Sequence, residues 1–189
     1  MDRSADQQII VSGLGGQGVL LVSRVLAESA ILKGFPVLTS EDHGMAQRGG
    51  TVVSHIKAGR FSSPLIRPEQ ACGMIVLAPE NLPLHYHFVG LGGWMAVNGT
   101  ASGENYPDRN LFVMDADALC RKIGQPRALN LVMLGFVLGK SDRNEFSPSF
   151  FCRITDVCAA VRERLPEKLS ASAIFALECG YEAAMGGSP

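Results

Sequence analysis

The sequence has 189 residues, of which 47% are hydrophobic and 19% charged, and its formal net charge is −1 at pH 7. A chain of this size can bury a core as one domain, and its balanced charge argues against nucleic acid as a partner. The longest apolar run, LNLVMLGFVLG, is far shorter than a membrane span, and the polar start MDRSADQQ does not read as a signal peptide. We expect one cytoplasmic domain over residues 1–189, with no membrane partner.

In chain order, apolar runs and turn signals predict strands in QQIIVSG, FPVLTS, TVVSHIKAG, CGMIVLA, WMAVNGT and NLFVMDA. They predict helices or helical turns in VLLVSRVLAESAILKG, PENLPLHYHFVGLGG, DALCRKIG, RALNLVMLGFVLGK, DVCAAVRERL and ASAIFALECGYEAAM. The alternation in TVVSHIKAG predicts a half-exposed strand, on which His55 has no special role. Strands dominate the first two thirds and helices the last. This pattern predicts a Rossmann-like three-layer α/β domain with a mostly parallel sheet and a helical C-terminal third.

Five cysteines are scattered along the chain, and none forms a CxxC pair: Cys72, Cys120, Cys152, Cys158 and Cys179. Ligands of iron–sulfur clusters and zinc sites normally come in close pairs. We therefore interpret most of these cysteines as small buried hydrophobic residues and expect no metal on this chain. Any redox centre would belong to another chain.

A glycine-rich turn joins the first strand to the first helix. Gly13, Gly15 and Gly18 satisfy GxGxxG, and such a turn lets an anion approach backbone amides at a helix N-terminus. Glu41 and Asp42 follow the second strand, where a ribose-binding acid stands in dinucleotide enzymes. Against a dinucleotide, this strand leads into another loop and strand instead of a crossover helix. The glycines could equally serve only close strand-to-helix packing.

The loop HGMAQRGG comes directly after Glu41 and Asp42. Its candidate functional residues are His43, Gln47, Arg48, Gly49 and Gly50. Arginine offers a planar, permanently charged fork, glutamine both donor and acceptor, and histidine a group that titrates near neutrality. The glycines would let a ligand or a partner backbone approach closely. The alternative is a structural turn in which the arginine pairs with a neighbouring acid.

Other polar and aromatic residues are also candidates. Asn98 ends a strand where α/β proteins gather polar groups, and Ser12 precedes the glycine turn. The pair His85 and His87 lacks an accompanying carboxylate or cysteine, so a surface or interface role is favoured over a metal. We interpret Trp94 as a core or interface residue.

Two long segments, VSGLGGQGVLLVSRVLAESAILKG and SEDHGMAQRGGTVVSHIKAG, resemble the gamma-type domain of the 2-oxoacid:ferredoxin oxidoreductases, the pyruvate/ketoisovalerate oxidoreductase gamma family. HGMAQRGG is most similar to the beta subunits of the indolepyruvate branch. The resemblance continues in SPLI (63–66), VNGT (97–100), NLVMLG (130–135) and GYE (180–182). The sequence departs from the family where Gly73 and Ala78-Pro79 replace Asp and Glu-Pro, and where Ser172 replaces a common Asn.

The resemblance implies a small cofactor-free subunit that closes an active site and helps bind coenzyme A during oxidative decarboxylation to acyl-CoA. Thiamine diphosphate and iron–sulfur clusters would lie on a large partner subunit, ferredoxin would be reduced indirectly, and this chain would contribute no catalytic residue. It would be inactive alone and could form a homodimer when isolated. The coenzyme-binding candidates are Gly13, Gly15, Gly16, Gln17, Gly18 and Asn98. The HGMAQRGG loop would face the partner or the substrate.

Two other functions stay open from the sequence. A stand-alone NAD- or flavin-dependent oxidoreductase would use the glycine turn, with His43 as its base. A non-catalytic assembly protein of the same fold would explain the departures at Gly73, Ala78 and Ser172. Co-purification with a large thiamine-containing chain separates the first interpretation from both.

Overall fold

Six strands form one mixed sheet in the computed structural model, which describes residues 6–44, 49–100 and 106–186. The strands are β1 Gln7–Leu14, β2 Val37–His43, β3 Thr51–Ala58, β4 Ala71–Val76, β5 Val89–Asn98 and β6 Asn110–Met114. Their order is β2-β3-β1-β4-β5-β6. Strands β1, β4, β5 and β6 pair in parallel, whereas β3 is antiparallel to both β1 and β2. The predicted mostly parallel α/β sheet is confirmed.

In the described part of the chain, six α-helices accompany the sheet: α1 Val19–Leu32, α2 Leu82–His85, α3 Ala116–Lys122, α4 Leu129–Asp142, α5 Ile154–Arg164 and α6 Glu167–Met185. The helices α1, α4, α5 and α6 share one core with one face of the sheet. The other face is covered more thinly, by the short helical segment 79–88 and the loop around Ile66. The predicted helix in PENLPLHYHFVGLGG is too long, because Val89 already begins β5. No helix of the described residues is long and apolar enough to cross a membrane.

Strand β3 is buried, so the prediction of a half-exposed strand is wrong. It lies between β1 and β2, and both of its faces are covered. The polar residues of the alternation have partners inside the protein: the Ser54 hydroxyl donates to Ser23 Oγ of α1 at 2.7 Å. His55 is only 2% exposed. The period-two pattern is an alternation of apolar and polar side chains, and it does not correspond to an alternation of buried and exposed side chains.

Aromatic packing explains one departure from the family pattern. Trp94 is buried in β5 and stacks on Phe146, with ring centroids 4.4 Å apart. The same indole fills the space beside Gly73 of β4, so that any side chain there would overlap it. The interpretation of Trp94 as a core residue is confirmed, and Gly73 is the small partner that the indole requires.

The backbones of the C-terminal helices α4 and α6 pack directly against each other. A Cβ atom at Gly135 would overlap the Leu177 carbonyl, and one at Gly180 would overlap the Val132 carbonyl. All five cysteines are free thiols; Cys72 is half-buried and the other four are buried. Removal from water raises the pKa of Cys72 and Cys120 to about 11. Such thiols are protonated at neutral pH and behave as apolar residues, as predicted.

Candidate functional site

The structure brings the two glycine-rich motifs together at one edge of the sheet. This edge holds the carboxyl ends of the parallel strands, and β3 begins there because it runs the opposite way. The Gly15 amide donates to the Gly50 carbonyl at 2.9 Å, and the Gly44 amide donates to the Thr51 carbonyl at 2.8 Å. The last residue of the HGMAQRGG loop therefore contacts the glycine turn, and the start of the loop lies beside the first residue of β3.

The centre of that loop lies outside the described residues. Met45, Ala46, Gln47 and Arg48 are not described, and of His43 only the backbone is. The functional roles expected for Gln47, Arg48 and His43 stay predictions. Gly49 has a left-handed backbone with φ +71° and an open surrounding, which suits a turn into β3.

The turn itself is fixed by its own hydrogen bonds. Gln17 Oε1 accepts from the Leu14 amide at 2.7 Å, and the Gln17 amide donates to the Leu14 carbonyl at 3.0 Å. Gly16 has φ +96°, and a Cβ atom added there would meet no atom of the described residues within 4 Å. The Gln17 side chain thus closes the turn, while Gly16 leaves open space in front of it.

Backbone amides remain available at the start of α1. Within the described residues, the amides of Gly16, Gly18, Val19 and Leu20 form no backbone or side-chain hydrogen bond. Helix α1 has 14 residues and no side-chain cap. Unpaired amides at a helix N-terminus favour an anion, through both hydrogen bonding and the helix dipole.

Two depressions flank the turn. One, of about 320 Å³, lies between the turn and Val52 of β3. The other, of about 590 Å³, is mostly apolar and runs from the turn to the start of α4 and along α6, with Arg127 and Ser172 in its wall. The Ser172 position that departs from the family pattern therefore lines a groove continuous with the glycine turn.

Asn130 fixes the junction between this groove and the turn. The residue is 5% exposed, and its Nδ2 donates to the Gly18 carbonyl at 3.2 Å. A side chain at Gly18 would collide with this amide. Sequence reasoning did not single out Asn130, although it begins the segment NLVMLG that carries part of the family resemblance.

Glu41 and Asp42 lie within β2, which extends to His43, so they do not follow the second strand as expected. The Asp42 carboxylate accepts a hydrogen bond from His55 Nε2 at 3.2 Å, and His55 Nδ1 accepts from the Ile66 amide. His55 packs edge-on against Phe88, on the sheet face opposite α1. Strand β3 also separates β2 from β1. Asp42 is therefore directed away from the glycine turn and is not placed to bind a ribose there.

A buried polar cluster underlies the same sheet edge. Ser12 Oγ lies 2.9 Å from His85 Nδ1, and Asn81 Nδ2 donates to Ser12 Oγ at 3.2 Å and to the Gly13 carbonyl at 2.9 Å. Burial lowers the pKa of His85, with a smaller contribution from His87. The cluster ties the end of β1 to the helical segment 79–88.

His87 itself is exposed, and no group of three possible ligands in the described part of the chain could hold a metal ion.

The Asn98 side chain is engaged within the protein. Its Nδ2 donates to the Leu77 carbonyl at 3.1 Å and to Asp117 Oδ2 at 2.9 Å, and its Oδ1 accepts from the Ala116 amide at 3.0 Å. It is 3% exposed. These contacts fix the end of β5 to the start of α3, so we do not place Asn98 in the ligand site.

The sequence matches known proteins along nearly its whole length. Residues 8–183 match the family model described as pyruvate ferredoxin/flavodoxin oxidoreductase. The chain is 31% identical to indolepyruvate oxidoreductase subunit IorB of Archaeoglobus fulgidus, over 96% of each chain. It is also 30% identical to ketoisovalerate oxidoreductase subunit VorA of Methanothermobacter thermautotrophicus. That alignment covers 69% of this chain and only 28% of the longer relative.

Solved structures share the fold. The gamma subunit of a keto/oxoacid ferredoxin oxidoreductase from Geobacter sulfurreducens superposes with a TM-score of 0.74 at 22% identity, covering 96% of this chain and 99% of that one. A 2-oxoglutarate:ferredoxin oxidoreductase from Magnetococcus marinus, solved with coenzyme A and succinyl-CoA bound, gives a TM-score of 0.75 at 16% identity. This chain matches 32% of its length.

Proposed function

The chain belongs to the pyruvate ferredoxin/flavodoxin oxidoreductase family, and from this membership we propose that it is the small subunit of an indolepyruvate-type 2-oxoacid:ferredoxin oxidoreductase. Its match to IorB extends over 96% of both chains, which supports this branch. A large partner subunit would carry thiamine diphosphate and the iron–sulfur clusters. Those cofactors supply the decarboxylation and electron-transfer chemistry, and ferredoxin receives the electrons.

The role we propose for this chain is to bind coenzyme A and close the active site. The observation that carries it is the meeting of the glycine turn with the HGMAQRGG loop, through the Gly15–Gly50 hydrogen bond. The unpaired amides at Gly16, Gly18, Val19 and Leu20 suit the pyrophosphate of the coenzyme. Because the Gln17 side chain already fixes the turn, binding requires little reordering of the backbone.

Residues His43, Gln47 and Arg48 complete the proposal as the partner- or substrate-facing part of the site. The loop that carries them connects β2 to β3, and its last residue, Gly50, accepts a hydrogen bond from the Gly15 amide of the turn. A charge-reversing Arg48→Glu substitution should weaken assembly or turnover, whereas Arg60→Glu, at the other end of β3, serves as the control. Unchanged assembly and turnover in Arg48→Glu would remove the loop from the site.

Calorimetric titration of the purified chain with coenzyme A, NAD(H) and FAD tests the ligand. We expect weak binding of coenzyme A, or binding only after the partner is added, and no tight binding of NAD(H) or FAD. The position of β3 between β1 and β2, together with the Asp42–His55 hydrogen bond, is why a dinucleotide is not expected. Tight binding of NAD(H) or FAD would contradict the subunit proposal and favour a stand-alone oxidoreductase.

A further inference from the structure

A third cavity lies at the opposite end of the sheet from the glycine turn. It has a volume of about 500 Å³ and includes Lys57, Phe61 and Arg67 in its wall. Lys57 of β3 pairs with Gln8 at the start of β1, whereas the glycine turn follows the end of that strand. The length of an eight-residue strand, roughly 25 Å, therefore separates the two places.

Lys57 has little exposed surface and no counter-charge among the residues that the structure describes. The residue is 7% exposed, and it forms no ion pair or hydrogen bond with any residue that the structure describes. Its ammonium nitrogen lies 5.1 Å from the centre of the Phe61 ring, which gives a cation–π contact only. Buried lysines are normally paired with an anion, so this one lacks its usual partner.

The rest of the wall also suits an anion. Arg67 is exposed at the same cavity, and the Ser62 and Ser63 hydroxyls add donors. Among the described residues that line the cavity, none is an aspartate or a glutamate. Burial, and secondarily the charge of Arg67, lowers the pKa of Lys57, and a bound anion would reverse that effect.

We propose that this cavity binds the phosphate group of a small phosphate ester. The two cations match the charge of a phosphate monoester, which is close to −2 at neutral pH. The Arg67 guanidinium can hold two phosphate oxygens at once, and the Lys57 ammonium a third. Phe61 and Leu65 provide apolar surface for the organic part of the ester. The site is independent of the coenzyme role proposed for the glycine turn.

Calorimetric titration of the full chain with phenyl phosphate, at constant ionic strength, tests the proposal. We expect saturable one-to-one binding, competition by inorganic phosphate, and binding of benzoate weaker by roughly tenfold, because benzoate carries one charge. Benzoate binding as tight as phenyl phosphate binding would overturn the assignment to phosphate. The absence of saturable phenyl phosphate binding would overturn the site.

Substitutions in the cavity and elsewhere test where phenyl phosphate binds. Arg67→Gln changes an exposed side chain, so it should fold normally and weaken phenyl phosphate binding by roughly tenfold or more. Lys57→Met should weaken it further, and Lys168→Gln, an exposed lysine of α6, should leave it unchanged. Gly16→Ala separates the two proposals, because it should preserve phenyl phosphate binding. Loss of binding in Gly16→Ala with retention in Arg67→Gln would place the anion at the glycine turn and overturn this inference.

Discussion

Glycine serves opposite purposes in the α4–α6 pair and in the turn before α1. In the helix pair, Gly135 and Gly180 lie against backbone carbonyls of the facing helix, and a methyl group would have no room. In the turn, no atom from the described ranges lies within 4 Å of the position that a Gly16 Cβ would take. The first region uses glycine to bring protein backbone close to protein backbone. The second leaves room in front of unpaired amides. Substitution of glycine should therefore lower stability in the helix pair and weaken ligand binding at the turn.

The largest effect is expected at the helix pair. Gly180→Ala should lower the free energy of unfolding by about 2 kcal/mol, because overpacking against a backbone carbonyl outweighs a gain of roughly 1 kcal/mol in helix propensity. Denaturant unfolding monitored by circular dichroism measures the change. Ser172→Ala, on the exposed face of α6, is the control and should change stability little. Wild-type stability in Gly180→Ala would show that α4 and α6 can separate without cost.

Asn98 tests whether every polar residue at the carboxyl edge belongs to the ligand site. Asn98→Ala should lower the free energy of unfolding by about 1.5 kcal/mol, because the buried Ala116 amide and the Leu77 carbonyl lose their side-chain partner. The KM for coenzyme A in the assembled enzyme should not change. Asn110→Ala, which removes one exposed hydrogen bond to Gly92, should cost less. A raised KM at normal stability would instead make Asn98 a ligand contact.

Gly16 should show the reverse pattern. Gly16→Ala should cost only about 1 kcal/mol of stability, from the left-handed backbone, and weaken coenzyme A binding by roughly tenfold. Gly34 is a matched control at the other end of α1, with φ +80° and open space around it. Gly34→Ala should show the same loss of stability and normal binding. Equal coenzyme binding in both variants would contradict a ligand at the turn.

The smallest effect concerns pH and a region with no proposed ligand. Burial lowers the pKa of His55 in the folded protein, partly offset by the hydrogen bond to Asp42, so the unfolded chain takes up protons more readily as pH falls below about 6.5. Stability attributable to His55 is therefore present above that pH and is lost on acidification. His55→Gln should make the stability curve shallower between about pH 7 and 5.

His85 has a pKa shifted in the same direction, so part of this pH dependence should remain in His55→Gln. Urea unfolding at several pH values measures the slope, and the exposed His87→Gln variant is the comparison. An unchanged slope in His55→Gln would show that protonation of this ring does not oppose folding.

The order of strands and helices along the chain could be predicted from the sequence, but the strands that pair with each other in the sheet could not. The run TVVSHIKAG was correctly predicted as a strand, yet its alternation gave the wrong burial, because Ser54 and His55 find partners inside the protein. A local pattern also does not indicate that β3 pairs with both β1 and β2. That long-range placement is what removes Asp42 from the glycine turn.

The candidate site was predicted as two motifs, and their contact came from the fold. The sequence identified the glycine turn and the HGMAQRGG loop, which are separated along the chain by α1 and β2. Their contact depends on the hairpin of β2 and β3 returning beside β1. Asn81 and Asn130 support the turn through single side-chain hydrogen bonds to Gly13 and Gly18, and such residues have no spacing that a motif could reveal.

Reconstitution with the large subunit tests the central claim most directly. We expect indolepyruvate- and coenzyme A-dependent reduction of ferredoxin only when this chain and a thiamine- and cluster-containing partner are combined, with neither active alone. Gly16→Ala should then raise the KM for coenzyme A, whereas Gly34→Ala should not. Full activity of the partner without this chain, or no gain on adding it, would contradict its assignment as a required subunit that binds coenzyme A.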